Sequence, residues 1–206
     1  MIASPELLNR DDTPREDHFV CLRGATWKDY ARVLEIRGDH SAPRIAYMDG
    51  TLEIMSPSRT HESVKSDIGR LVEVWCSERG VEFSAYGSWT LQSKRLKLGV
   101  EPDECYVFGG ARDAERPQLA IEVIWTSSGL DKLEAYGKLR VPEVWIWRHG
   151  QISVHLLRGR QYERVRSSEV LPGIDLDQLA RFLGRESTSA AMREYRAALR
   201  AGGSMA

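Results

Sequence analysis

From Leu119 to Trp147 the chain reads strand, helix, strand, and no other stretch restricts the fold as much. Leu119-Ala120-Ile121-Glu122-Val123-Ile124-Trp125 is an apolar run of strand length. Asp131–Leu139 follows with helical spacing, placing Leu133, Tyr136 and Leu139 inward. Pro142 then marks the crossover into a second apolar strand, Glu143–Trp147. Strands joined through a crossover helix lie parallel, because the helix returns the chain to the end where the first strand began. One charge, Glu122, interrupts the first strand. A carboxylate in an apolar run is out of place unless it is paired or bound to a cation. Asp103 stands just before a similar run, Glu104–Phe108, and the helix after Glu122 opens with Asp131 and Lys132. An Asp, a Glu and a Lys thus come from three consecutive elements of one sheet unit. Two acids to hold a divalent cation and a lysine to meet a phosphate are the equipment of metal-dependent phosphodiester cleavage.

The rest of the chain fits around this unit. Residues 1–17 are rich in Asp, Glu, Arg and Pro and read as a disordered segment. A mixed α/β domain is expected over 18–184, and a helical or flexible tail over 185–206. Trp27, Tyr30, Val33 and Leu34 mark an amphipathic helix at 26–36. Arg44–Met48 and Thr51–Met55 flank Asp49-Gly50, a two-residue hairpin signal. A longer helix is predicted from Thr60 to Arg79, with Val64, Ile68, Leu71, Val72 and Trp75 as its stripe. Ser58 or Thr60 can cap its start, and Gly80 can end it. Short strands are expected near 81–86 and 88–92, a hairpin over 151–156 and 161–165, and helices at 175–183 and 188–200. Hairpins with one parallel crossover imply a mixed sheet flanked by helices, the α/β (α+β mixed) class.

Length and charge set outer limits. A chain of 206 residues holds one domain with a good core. No apolar run approaches the ~20 residues that span a bilayer, and the start MIASPELLNRDDTPRED is polar rather than a secretory leader. A cytoplasmic protein with no membrane partner is expected. Cys21, Cys76 and Cys105 are odd in number and far apart, so they read as reduced thiols. The formal net charge of −1 points neither to nor away from nucleic acid, which leaves local basic runs to decide.

Each candidate has a bland reading beside the chemical one. Asp103 alone is a strand-edge Asp, and Glu122 alone pairs with an arginine; their joint placement favours a shared cation. Lys132 sits in a first helical turn, where the dipole disfavours a cation, so stability does not explain it. Lys138 lies six residues on, roughly 600° round the helix, and points elsewhere. Glu62 falls on the border of the long helix's buried face and is a candidate outer ligand. His61 shares the apolar stripe and reads first as a hydrogen-bonded core residue. Glu101 either shares the cation or faces solvent. Glu53 alternates with Leu52 and Ile54, which places it on a solvated strand face. Tyr136 is expected to pack in the core or donate a hydrogen bond. For phosphate contact the best run is Lys94, Arg95 and Lys97, with Arg59 and Lys65 second; a solvated loop is the commoner fate of such runs.

Taken in order, Tyr47–Pro57 (YMDGTLEIMSP), His61-Glu62, Glu101-Pro102-Asp103, Ile121-Glu122-Val123, Asp131-Lys132 with Tyr136, and Val141–Trp145 (VPEVW) resemble the Uma-type restriction-endonuclease family of the PD-(D/E)XK nuclease superfamily. The resemblance covers about residues 20–183. It implies a restriction-endonuclease-like fold and Mg²⁺-dependent DNA cleavage, with Mn²⁺ as a substitute. Asp103 matches the Asp of the PD motif and Glu122 the acid of (D/E)XK. Asp103 and Glu122 are the expected ligands of the cation, joined by the Val123 carbonyl. Ile124 stands where the superfamily has lysine, and Lys132 matches the helix position from which Uma-type members supply it. Cleavage of both strands by one site per chain would call for a two-fold homodimer. The competing readings are a non-catalytic nucleic-acid or protein interaction module on the same fold, and a phosphodiesterase acting on RNA or a nucleotide.

Overall fold

A computed structural model of the chain describes residues 16–110, 113–125 and 129–202. The expected disordered segment falls outside these residues up to position 15. Asp17, placed at its end, is ordered: its carboxylate accepts the Ser58 N–H at 2.7 Å.

Two sheets carry the fold. The first joins β1 (His18–Arg23), β2 (Arg44–Met48), β3 (Thr51–Ser56), β5 (Leu91–Ser93) and β6 (Leu98–Val100) in the order β1-β3-β2-β6-β5, all antiparallel. The second contains β4 (Phe83–Ala85), β7 (Glu104–Phe108), β8 (Leu119–Val123), β9 (Glu143–Arg148), β10 (Gln151–Arg158) and β11 (Gln161–Val165), ordered β11-β10-β9-β8-β7-β4. Only β8 and β9 run parallel in it, across the crossover helix α3 (Lys132–Lys138). The mixed sheet is therefore as expected, and the antiparallel sheet stands against it as an additional layer.

Local sequence explains the elements. Asp49 and Gly50 both take positive φ, 50° and 80°, the conformation a tight two-residue hairpin needs. Helix α1 (Trp27–Arg37) starts with a capping box between Thr26 and Asp29. Helix α2 (Arg59–Arg79) is capped by Ser58 and closed by left-handed Gly80. Strand β1 escaped the sequence reading because it is an edge strand with little burial: Val20 and Leu22 are 52% and 48% exposed.

Strand alternation sorts the core into layers. Leu119, Ile121 and Val123 of β8 face α2, packing with Ile68, Leu71 and Trp75. Ala120 faces the other way, towards Met48, Val100 and Tyr136, so the space between the sheets forms a second core. Tyr30, Ile45, Tyr47 and Leu52 make a third, under α1. The two C-terminal helices expected at 175–183 and 188–200 pack on the domain. Helix α4 (Leu176–Ala180) and helix α5 (Thr188–Gly202) bury Leu179, Tyr195 and Leu199 in the α2 core, and Arg200 pairs with Glu78 at 2.8 Å. Among the described residues no helix is long and apolar enough to cross a membrane. The three cysteines are free; Cys76 and Cys105 are buried, which pushes both thiols up to about 12.

Gly99 is where the α1 core is tightest. A Cβ there would lie 2.0 Å from the Tyr30 hydroxyl and 2.3 Å from its ring. Tyr30 is fully buried, so the ring has nowhere to go. Gly99→Ala is expected to destabilise the protein by about 1–3 kcal/mol, as overpacking does. A lower urea midpoint with an unchanged slope would register it; an unchanged midpoint would show that α1 shifts freely.

Candidate active site

Glu122 and Ala120 share the inner face of β8, so the period of the strand aims the carboxylate between the sheets. It is 1% exposed. Two groups of α3 meet it: Lys132 Nζ donates to Oε2 at 2.6 Å, and the Tyr136 hydroxyl donates to Oε1. Their four-residue spacing puts both on one helix face. Asp131 caps α3 by accepting the Glu134 N–H at 3.1 Å. Lys138 points away, pairing with Asp49 and Glu134 at the surface.

Asp103 ends the connection into β7 and is fully buried. Its Oδ2 accepts the Val123 N–H at 2.8 Å, which ties it to the end of the Glu122 strand. His61 Nε2 lies 3.1 Å from the same oxygen, and His61 Nδ1 lies 2.9 Å from Asp17. Arg44 Nε stands 3.7 Å from Oδ1, beyond hydrogen-bond distance. Oδ1 is thus a buried carboxylate oxygen that accepts no hydrogen bond. Among the described residues no group of three or more His, Cys, Asp or Glu side chains is arranged to hold a metal. A hard cation that keeps several waters needs only one or two carboxylates.

The charges respond to one another. Burial pushes the Asp103 carboxyl up, but the close His61 ring, the Lys132 charge and the Val123 N–H prevail and hold it well below the usual range. Burial also raises Glu122 and wins there, helped by the Asp103 charge, despite Lys132 and Tyr136. Burial alone would lower Lys132; Glu122 and Asp103 raise it instead and keep the ammonium charged. His61 is raised likewise, with burial opposed by Asp103 and Asp17.

Other expectations are redrawn. Glu62 is 42% exposed and meets Lys65 at 2.7 Å and Arg44 at 3.6 Å, so it reaches Asp103 only through the guanidinium. Its neighbour His61, a hundred degrees round the helix, makes the direct contact. Glu53 is not solvated: it is 2% exposed and accepts the Gly129 N–H at 2.8 Å. The second sheet covers the strand face that a single-sheet reading leaves to water. Glu101 neither faces solvent nor joins Asp103; Arg37 and the Ile45 N–H, both at 2.8 Å, hold it elsewhere. Arg44 and Asp17 were missed, because their partners lie far away in sequence and no local pattern marks them. Lys94, Arg95 and Lys97 are exposed in the β5–β6 turn. Arg95 lines a surface hollow with Lys138, Arg140 and Arg160, at the end of α3 away from Lys132. Arg59 is exposed at the start of α2, whereas Lys65 is taken up by Glu62 and Glu104.

The mixed α/β domain thus brings Asp103, Glu122 and Lys132 to the end of strand β8. Residues 27–186 match the family described as "Putative restriction endonuclease" (Uma2), and the chain belongs to that family. A similar solved structure is a "putative nuclease belonging to DUF820" from Anabaena variabilis, 14% identical, with a TM-score of 0.47 over 82% of this chain and 98% of that one. No curated protein matches the chain.

The Glu122–Lys132 pair gives a stability prediction. The folded Glu122 pKa lies above its unfolded value, so its contribution is fully present below the unfolded pKa and is lost as pH rises through the folded pKa. Lys132 restrains that rise. Lys132→Ala is expected to cost about 3–5 kcal/mol near neutral pH, the usual loss when one partner of a buried pair is removed. The deficit should shrink at about pH 4, where Glu122 is protonated. Urea titrations across that range measure it, and a pH-independent deficit would mean that Lys132 acts through packing alone.

Proposed function

We propose that the chain is a divalent-metal-dependent DNA endonuclease, with Mg²⁺ as the cation and Mn²⁺ as a substitute. The observation that carries this reading is Asp103 Oδ1, buried beside the Glu122–Lys132 pair without a hydrogen bond, the Arg44 guanidinium standing off at 3.7 Å. A buried carboxylate oxygen without a hydrogen bond is costly, and a cation is the ligand that would satisfy it. The donor set fits a hard metal: two carboxylates, with the Val123 carbonyl as a backbone oxygen. When bound, the cation would act as a Lewis acid on the phosphoryl group and make water acidic enough to attack it.

The protein groups have separable roles. His61, the Val123 N–H and Arg44 fix and balance Asp103. Tyr136 orients Glu122. Lys132 is the cation placed to meet negative charge developing on the scissile phosphate. Glu62 is one side chain removed and tunes the site through Arg44. The Lys94, Arg95 and Lys97 turn, with Arg59, would hold the DNA backbone at a distance from the acids. A homodimer would bring two such sites to the two strands.

Supercoiled plasmid incubated with Mg²⁺ should be nicked, and EDTA should stop it. Asp103→Ala and Glu122→Ala should abolish nicking while the protein stays folded by circular dichroism. Lys132→Ala should lower the rate by about 10² or more and keep metal binding. Lys138→Ala, turned away to Asp49, should be near neutral. Full activity in a folded acid variant would sink the assignment, and a dead Lys138→Ala beside an active Lys132→Ala would move the lysine.

The basic turn has its own test. Replacing Lys94, Arg95 and Lys97 by Gln should weaken DNA binding and flatten its salt dependence by roughly one slope unit per lost phosphate contact. An identical slope would mark the turn as a solvated loop.

A further inference from the structure

Beside the Glu122–Lys132 pair the two sheets leave a cavity of about 240 Å³. One end is polar, formed by Glu122, Lys132 and Tyr136. The walls are mostly apolar: Phe19 and Met55 come from the first sheet, Ile124 and Ile146 from the second. Trp125 closes one side, its ring packed edge-on against Trp147 at 4.8 Å and 61°. Trp125 is 36% exposed, so the indole is braced on one side and open on the other. Arg148, exposed on β9, also lines the cavity, as do the acids Asp17 and Asp131.

A phosphate backbone has no use for such walls, since burying an anion against apolar carbon costs free energy. A nucleobase does: its faces are apolar and polarisable, and its edge carries donors and acceptors. Sites for drug-sized ligands span ~300–1,000 Å³, so this smaller space suits a single ring system. A base stacked inside a duplex cannot enter it; an unpaired or extruded base can. Arg148 then offers a cation to the adjoining phosphate.

We propose that this cavity receives one unpaired nucleobase next to the scissile phosphate, stacked on Trp125, and that the substrate is therefore nucleic acid that is single-stranded or unpaired at the cleavage point. The proposal rests on the nuclease reading of Asp103, Glu122 and Lys132, and it narrows the substrate class of that site.

The test uses the full chain in EDTA, where no cleavage competes, and oligonucleotides carrying 2-aminopurine. Single-stranded DNA, single-stranded RNA and duplex DNA of one sequence form the three arms. Binding of a single strand should quench the 2-aminopurine fluorescence and be about tenfold or more tighter than duplex binding. Trp125→Ala should lose the quench and about tenfold or more in affinity, and Trp125→Phe should restore much of both. Quenching in the DNA arm, the RNA arm or both supports the proposal and names the sugar. Duplex binding as tight as single-strand binding without quenching, or an unaltered Trp125→Ala, overturns it. Cleavage of the same single strands is scored separately with Mg²⁺. Quenching without cleavage keeps the base pocket and removes the nuclease reading; cleavage without quenching does the reverse.

Discussion

The burial of Glu122 between two sheets is the constraint on which the site depends. An isolated carboxylate there would simply be protonated, because desolvation outweighs its charge. Lys132 and Tyr136 occupy both of its oxygens, one per turn of a short helix. Asp103 adds a second negative charge nearby, and the structure answers with His61, Arg44 and a backbone N–H. Lys132 is common to both acids, since each of them raises it and it lowers each of them. A cluster of this kind is weak evidence for stability, because apolar residues of like volume would serve the fold as well or better.

The layers explain how the cluster is delivered. Strand β8 presents Leu119, Ile121 and Val123 to α2 and turns Ala120 and Glu122 towards α3 and the first sheet. The parallel β8–β9 crossover puts α3 over that second face. Helix α2 brings His61 in its first turn, held in place by Ser58 as cap and Asp17 as partner. The first sheet supplies Arg44 and Glu53 from β2 and β3. No single layer could assemble these groups.

Most elements were legible in the sequence because each follows a local rule: alternation, helical stripe, cap, hairpin turn. The acids and lysine were legible for a related reason, as charges sitting where those rules forbid them. What the sequence hid depends on layers meeting. Glu53 alternates as a solvated strand residue would, and only the second sheet makes it buried. Arg44 opens a hairpin strand like any surface arginine, and nothing within its own segment reveals Asp103 or Glu62 as neighbours. His61 was readable as a residue of the buried stripe, but nothing within its own helix names Asp103 and Asp17 as its neighbours.

The shifted lysine and the apolar cavity are two sides of one arrangement. In the superfamily pattern the lysine stands two residues after the acid, on the same strand face. Here that position is Ile124, and Ile124 lines the cavity next to Glu122. A lysine at 124 would carry its charge along that wall, and an apolar ring could not pack there. Moving the ammonium to α3 keeps it 2.6 Å from Glu122 while it approaches from the helix side. The cost is a cation in a first helical turn, which the Asp131 cap and the Glu122 charge offset. The result is a site in which Glu122, Lys132 and Tyr136 adjoin the apolar side chains of Ile124, Ile146 and Met55. On the proposed function, phosphate chemistry and base contact would then occupy adjoining spaces.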